Sequence, residues 1–178
     1  MTLHRFSLKD ALFLGFCAVL LVAAKAALRF HLKIPGHSML FTLFFLILAR
    51  GCVRQRLAAT FTGLLAGIIT VILGMGKGGP LILIKYLLPS LVVDLMAGML
   101  SAALFDSILL CGLTALLAAL TRFLSDAAID LLAGMDAAVV IRHAGIQTVG
   151  NAFFGLIGGL CVPAVIRKLK AFGAIAPS

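Results

Sequence analysis

The sequence contains no tryptophan, a single tyrosine and few charged residues. Charged side chains make up 12% of its 178 residues, whereas soluble domains have about 25%. All six acidic residues are aspartates, so general acid and base catalysis has few carboxylates to use. This scarcity of charge excludes the surface of an ordinary water-soluble domain.

Apolar residues fill most of the remaining positions, with 63% hydrophobic residues and a mean hydropathy of +1.22. A soluble domain of this size buries only about 70% of the surface of its unfolded chain, so it could not hide this much apolar surface from water. Several apolar runs also reach the roughly 20 residues that a membrane-spanning helix needs. We therefore predict an all-α, polytopic integral membrane protein with a single membrane domain over residues 1–178.

The basic residues give a net charge of +9, from 15 Lys and Arg against six acids. They lie at the ends of apolar runs and not on a patterned, solvated surface, so no nucleic-acid partner is predicted. They are instead typical of topological flanks, lipid head-group contacts or the walls of an anion site. The four cysteines show no C-x-x-C spacing and are predicted to be small packing residues.

Prolines, glycines and basic clusters divide the apolar runs into six predicted spans. Their predicted bounds are 11–31, 38–49, 57–75, 81–100, 105–124 and 144–166. The apolar stretch 81–124 is about twice the length that crosses a bilayer, so we expect a turn at 101–107. Segment 125–142 carries Asp126, Asp130 and Asp136. Because central charges are costly in a span, we predict an interfacial helix or structured loop there.

Six spans place both termini on one side of the membrane. That side contains basic clusters at 5–9, 50–56 and 167–170, so the positive-inside rule predicts that it is cytoplasmic. The opposite side is nearly as basic, but its charges are more dispersed. We expect a multi-pass protein of the bacterial cytoplasmic (inner) membrane, with the lipid bilayer as its surroundings.

Polar side chains form stripes on three of the predicted spans. Each stripe repeats at i, i+4 and i+8 and so shares one helix face. They are Lys25, Arg29 and Lys33 on the first span, Tyr86, Ser90 and Asp94 on the fourth, and His143, Gln147 and Asn151 on the sixth. We expect them to outline a polar cavity open to the outside and rimmed by loops 32–37 and 76–80, because hydrocarbon does not tolerate such groups without partners.

Each stripe also has a structural explanation that the sequence leaves open. The lysines and arginine of the first span can reach lipid phosphates, Asp94 can pair with a neighbouring helix, and the third stripe can form interhelical hydrogen bonds. Lys85 lies on the opposite side of an ideal helix from Asp94. Pro89 can kink the helix between them, so whether both face one cavity also stays open.

The sequence contains fragments of enzyme motifs, but each one lacks residues that the motif requires. The segment around Lys77 lacks the first glycine and the Ser or Thr of a phosphate-binding loop. Asp126 and Asp130 have D-x-x-x-D spacing without the further acids that would hold a metal, and the histidines lack zinc spacing. We predict no catalytic residues, no cofactor and no metal site.

Ala11, Gly15 and Ala18 form a face of small residues on the first span, which would let another helix approach closely. Such a face serves either internal packing or docking of a partner subunit, and we predict it as a partner interface.

Taken together, these residues resemble a known family. The pattern comprises about six spans with both ends inside, the small-residue face, the PGHS loop at 35–38, the stretch LGMGKGGP at 73–80, KYLLP at 85–89 and Val93-Asp94. The chain as a whole resembles the substrate-capture subunits (S components) of energy-coupling factor vitamin transporters. Ala11 and Gly15 match the Ala-x-x-x-Ala contact motif of that family only as Ala-x-x-x-Gly.

The resemblance implies a subunit that binds a micronutrient from outside and works with a transmembrane coupling subunit and ATPase subunits. We expect a small anionic or carboxylate-bearing nutrient, with the following substrate-binding residues: Lys25, Arg29, His37, Lys77, Lys85, Tyr86, Asp94, His143, Gln147 and Asn151. The alternative is a stand-alone, proton-coupled secondary carrier for a small anionic solute, with Asp94 as its protonation site. The absence of an inverted repeat disfavours it. A membrane enzyme or assembly factor is the least supported reading.

Overall fold

The computed structural model describes residues 7–31, 36–53, 55–75, 79–100, 103–132 and 134–172. Within these ranges the prediction of an all-α protein is confirmed, since the elements are helices joined by turns. The helices are α1 (Leu8–His31), α2 (His37–Cys52), α3 (Ala58–Ile72), α4 (Ile82–Leu100), α5 (Ala103–Asp106), α6 (Ile108–Leu132) and α7 (Ala137–Ala171), with a 3-10 turn at Gly79–Leu81 before α4.

Four of the described helices, α1, α4, α6 and α7, are long and apolar enough to cross a membrane. The helices α2 and α3 are also apolar, but they are shorter, at 16 and 15 residues. Large apolar side chains face outward from the bundle; Leu12 is 66% exposed and Leu109 is 81% exposed. Soluble proteins rarely expose such surfaces on this scale, so the helices indicate a membrane-embedded protein.

Successive long helices run antiparallel, as short connections require. In the α3–α4 pair, Gly63 packs against Ser90. In the α6–α7 pair, Gly159 faces the side chain of Ala115, and a methyl group on Gly159 would clash with it. The glycines therefore set how closely these two pairs approach.

The helix α2 lies at the centre and runs parallel to α7. Gly158 of α7 contacts the backbone of Leu40, and further along both helices Gly51 of α2 contacts Ile166. The α2 side chains of Leu43 and Ile47 are completely buried. The core therefore consists mainly of α2 surrounded by its neighbours.

Gly36 fixes the start of α2 against α7. Its φ of 91° lies in the left-handed region, and a Cβ there would overlap the backbone of Gly150. Only glycine satisfies both conditions without strain. Gly36 is therefore a close contact with α7 as well as a turn.

Because the helices alternate in direction along the chain, the bundle has two ends, which we call the terminal end and the distal end. The terminal end contains the first residues of α1, α3 and α6 and the last residues of α2, α4 and α7. The distal end contains the opposite end of each of these helices. Neither name refers to a side of the membrane.

The helix bounds differ from the sequence prediction mainly in segment 125–142. The segment is part of two longer helices, because residues 125–132 complete α6, residues 137–142 begin α7, and the turn between them includes Gly134 at a φ of 81°. The prediction assumed unpaired aspartates. In the structure Asp126 pairs with Lys85 and Asp130 with His143, so the helices continue through this segment.

Candidate functional site

Tyr86 is the centre of a polar contact between three helices at the distal end, and its side chain is completely buried. Side chains in a helix point back toward its N-terminus, which directs the Tyr86 ring from α4 toward the last turns of α3. Its hydroxyl lies 3.1 Å from Oγ1 of Thr70 in α3. Lys25 of α1 donates to the same hydroxyl at 2.8 Å, and its Nζ lies 4.6 Å from the ring centroid.

The donors and acceptors of this contact can be ordered. An ammonium group only donates, so the Tyr86 oxygen accepts from Lys25 and keeps its own proton for Thr70. The Thr70 hydroxyl then donates to the carbonyl of Ala66 at 2.7 Å. The positive charge of Lys25 is thus held by a neutral hydroxyl chain and by the face of an aromatic ring.

A second cluster lies beside Tyr86, where α4 meets α6. Nζ of Lys85 is 2.7 Å from Oδ1 of Asp126, and Nε of Arg122 is 3.7 Å from Oδ2 of the same carboxylate. Nη1 of Arg122 donates to the carbonyl oxygen of Lys85 at 3.3 Å. The three side chains are 20%, 8% and 10% exposed for Lys85, Asp126 and Arg122.

The charges in this second cluster do not balance. Among the described residues, Lys85 and Arg122 share a single carboxylate, that of Asp126. Buried charge is costly unless it is paired and hydrogen-bonded. The arrangement therefore favours the binding of an anionic group, because ammonium and guanidinium groups bind carboxylate and phosphate strongly.

Asp94 lies away from these clusters, at the terminal end. Its Oδ1 accepts from the backbone N–H of Ala59 at 3.2 Å, and its Oδ2 accepts from the N–H and hydroxyl of Thr60 at 2.7 and 2.6 Å. Nε of Arg50 also lies 3.2 Å from Oδ1. Asp94 thus caps the start of α3 and joins it to α2 and α4.

The expectation that Asp94 and Tyr86 face one cavity therefore differs from the structure. Asp94 contacts the first turn of α3 and Tyr86 contacts its last turns, so much of the length of α3 separates them. Helix α3 has Leu57 at its N-cap, which cannot bond the free N–H groups. Asp94 supplies that cap from another helix, which is the structural explanation that the sequence left open.

The polar stripe of α7 divides into two environments. The His143 Nδ1 lies 3.4 Å from Asp130 of α6, and its Nε2 lies 3.1 Å from the Gln147 amide, in an exposed pair at the distal surface. Asn151, one turn deeper, is 6% exposed. Because Gly155 faces Ala119, the antiparallel register places Asn151 about level with Arg122.

The remaining predicted binding residues are His37, Arg29 and Lys77. His37 is half-buried in the first turn of α2, at the distal end. Arg29 belongs to α1, but its side chain, like all of Lys77, lies outside the described residues. The distal end thus brings together Lys25, Lys85 and Tyr86, with the α7 stripe beside them, and leaves Asp94 out.

Sequence reasoning missed Arg122, Asp126 and Thr70 as site residues. It counted Arg122 among dispersed outer charges and assigned Asp126 to the interfacial segment. Their i, i+4 spacing was a usable signal, since such a pair shares a helix face. Thr70 gave no signal, because a threonine in an apolar helix usually bonds its own backbone.

The predicted partner interface is only partly accessible. Ala11 and Gly15 line an open apolar groove between α1 and α3, together with Phe16 and Leu65. Ala18 is different, because it is completely buried in the main core cluster and does not line this groove.

Comparisons with protein-family models, curated proteins and solved structures find no significant match to this chain. Within the described residues, no group of three or more His, Cys, Asp or Glu side chains could hold a metal ion. The fold and the polar clusters of the described residues therefore define a class only: an all-α protein with four helices long and apolar enough to span a membrane, and a cation-rich polar centre at one end.

Proposed function

We propose that this chain is the substrate-capture subunit of an energy-coupling factor importer, and that it binds a small anionic, vitamin-like nutrient at its distal end. The observation that carries the proposal is the group of cationic side chains around a buried tyrosine, Lys25, Lys85 and Arg122 with Tyr86. Ionisable groups inside a membrane helix bundle usually mark a ligand or ion pathway.

The electrostatics support an anion as the ligand. A buried cation loses its hydration and must recover that free energy from protein groups or from a ligand. Around Arg122 and Lys85 the protein supplies one carboxylate for two cations. A ligand carboxylate or phosphate would balance the excess charge, and Tyr86 and Asn151 are polar groups at the same end that can orient it.

The topology supports capture from outside. If α2 and α3 span the membrane along with the four longer helices, the start of α1 and the end of α7 lie on the terminal side. The basic residues Arg50, Arg56, Arg167 and Lys168 also lie there, and the positive-inside rule favours that side as the cytoplasmic one. The distal cation cluster then faces the exterior, from which an importer takes its substrate.

The groove between α1 and α3 supports docking of a coupling subunit. Gly15 has open space where a side chain would be, and exposed Leu12 and Phe16 flank it. A helix of a transmembrane partner could approach closely there, as small residues permit in membranes. In this proposal ATP is hydrolysed by other subunits.

The alternative of a proton-coupled carrier depended on Asp94 as a protonation site. Asp94 accepts three hydrogen bonds from α3 and lies beside Arg50, so its contacts are those of a joint between helices. Its contacts thus support the capture proposal in preference to the carrier.

Two measurements test the proposal. Native mass spectrometry of the purified protein should detect a retained small anion and identify it by mass. Proteoliposomes with this chain alone should show no uptake of that molecule, whereas a coupling subunit and ATPases should restore ATP-dependent uptake. Uptake by the chain alone would contradict the proposal and favour a carrier.

A further inference from the structure

The two contacts of Asp126 are unequal. Its 2.7 Å contact with Lys85 is as short as a charge-assisted hydrogen bond, but its 3.7 Å separation from Nε of Arg122 is too long for one. Among the described residues, Nε of Arg122 is buried without a hydrogen-bond partner, as is Nε of Arg50, but Arg50 lies closer to its aspartate, at 3.2 Å. Arg122 is therefore held near an anion without the bonding that a guanidinium makes to a well-placed oxyanion.

The tethering of Asp126 explains this mismatch. It lies four residues after Arg122 on α6, and its carboxylate is also held by Lys85 of α4. A side chain fixed at its base and held at its tip by Lys85 cannot also align with Arg122. An untethered oxyanion has no such restriction and can approach the planar guanidinium fork directly.

The cluster lies close to the distal surface. Asp130, one turn beyond Asp126 on α6, pairs with His143, whose side chain is 55% exposed. Lys85 itself is 20% exposed. The cluster thus lies about one helical turn from an exposed pair at the distal surface.

The geometry points to an oxyanion site in which Asp126 is a displaceable internal counter-ion: an incoming carboxylate or phosphate takes its place between Arg122 and Lys85. This inference deepens the proposed function and rests on it for the role of the ligand. The same chemistry fits a soluble nutrient or the phosphate of an anionic lipid head group, and the experiment must separate these two sources.

The test is equilibrium dialysis of radiolabelled inorganic phosphate against the full-length protein in phosphatidylcholine nanodiscs. D126N removes the internal competitor, so we expect it to bind phosphate at least tenfold more tightly than the native protein. R122Q keeps the Lys85–Asp126 pair but removes the guanidinium, and we expect at least tenfold weaker binding. D136N is the matched control, because it removes one exposed negative charge near the same end and should leave binding unchanged.

A second comparison covers the case in which D126N does not fold. K85Q releases Asp126 toward Arg122 and should weaken phosphate binding. The double variant K85Q/D126N keeps the net charge of the native protein, and it should bind at least tenfold more tightly than K85Q. Equal binding by D126N and D136N, or by K85Q and K85Q/D126N, would overturn the displacement.

Phosphatidylglycerol nanodiscs separate the two sources. Unchanged phosphate binding in these discs supports a soluble ligand. The other outcome is that phosphate binding weakens in these discs, while native mass spectrometry shows phosphatidylglycerol retained by the native protein and lost from R122Q. That result would support the oxyanion site but contradict the capture function. Conversely, the native protein could retain a nutrient while D126N binds phosphate no more tightly than the native protein. That result would support the proposed function and contradict the displacement of Asp126.

Discussion

Two aspartates with similar burial, Asp94 and Asp126, lie at opposite ends of the bundle and differ in their bonding. Asp94 is 6% exposed and accepts three hydrogen bonds from the start of α3, with Arg50 beside it. Asp126 is 5% exposed and lies between two cations, one of which is beyond hydrogen-bond distance. The terminal carboxylate completes a helix end, whereas the distal carboxylate is shared by two cations. Among the described residues, Nε of Arg50 and Nε of Arg122 are both buried without a hydrogen-bond partner.

The comparison shows that burial of a charge in a membrane helix does not by itself mark a ligand site. What distinguishes the two ends is the bonding of the carboxylate: Asp94 accepts three hydrogen bonds from the start of α3, whereas Asp126 is divided between two cations at unequal distances. The terminal end is a structural joint between α2, α3 and α4. In our proposal, the distal end binds an anion.

The largest expected effect on stability is that of D94A. It removes the cap of α3 and leaves Arg50 buried beside an apolar side chain, so we expect a loss of about 3–5 kcal/mol in the free energy of unfolding. Denaturant unfolding in a mild detergent, followed by circular dichroism, measures it. The exposed D136A is the control, and a loss below about 1 kcal/mol for D94A would contradict its role as a joint.

Y86F is expected to have an intermediate effect. It keeps the ring but removes the hydroxyl to which Lys25 and Thr70 are bonded, so each of them loses one hydrogen-bond partner. Losing the partner of a buried polar group costs about 1–3 kcal/mol. Unfolding in the same detergent tests this. The double variant Y86F/K25M should lose less stability than the sum of the two single variants, because Lys25 and Tyr86 share one hydrogen bond.

Substituting the two arginines would sharpen the comparison between the ends. R50Q leaves Asp94 as the cap of α3 but removes its charge partner, while R122Q leaves Asp126 bound to Lys85 at 2.7 Å. We expect R122Q to lower the free energy of unfolding by only about 1 kcal/mol, and R50Q to lower it more. Equal losses in both variants would mean that the distal arginine is as structural as the terminal one.

H143A should have the smallest effect. The His143–Asp130 contact is 3.4 Å long and its histidine is 55% exposed, so solvent and salt screen it. Exposed ion pairs contribute about 0–1 kcal/mol. A loss of more than about 2 kcal/mol on unfolding would show that this distal hairpin contact matters more than its exposure indicates.

The helical architecture was largely predictable because apolar run length and turn residues control it. The helices α1 to α4 begin and end within three residues of the predicted spans 11–31, 38–49, 57–75 and 81–100. The errors occurred where charge pairing between helices decides the outcome. Asp126 appeared too costly for a membrane-spanning helix because its partner, Lys85, is 41 residues away in the sequence.

The polar site was only partly predictable for the same reason. Helical spacing shows that Tyr86 and Asp94 share one face of α4, but not how far apart along the neighbouring helix their partners lie. Spacing also cannot show that Leu57 leaves α3 without a cap, which Asp94 supplies from another helix. Long-range partners decide whether a polar residue is structural or available to a ligand.

The most direct measurement of the central claim is native mass spectrometry of a matched pair of variants, R122Q at the distal end and R50Q at the terminal end. Both replace a buried arginine that lies beside an aspartate. If the distal cation cluster binds an anion, R50Q should retain the small anion found in the native protein and R122Q should lose it. Retention of that anion by R122Q, or its loss from a folded R50Q alone, would contradict the account.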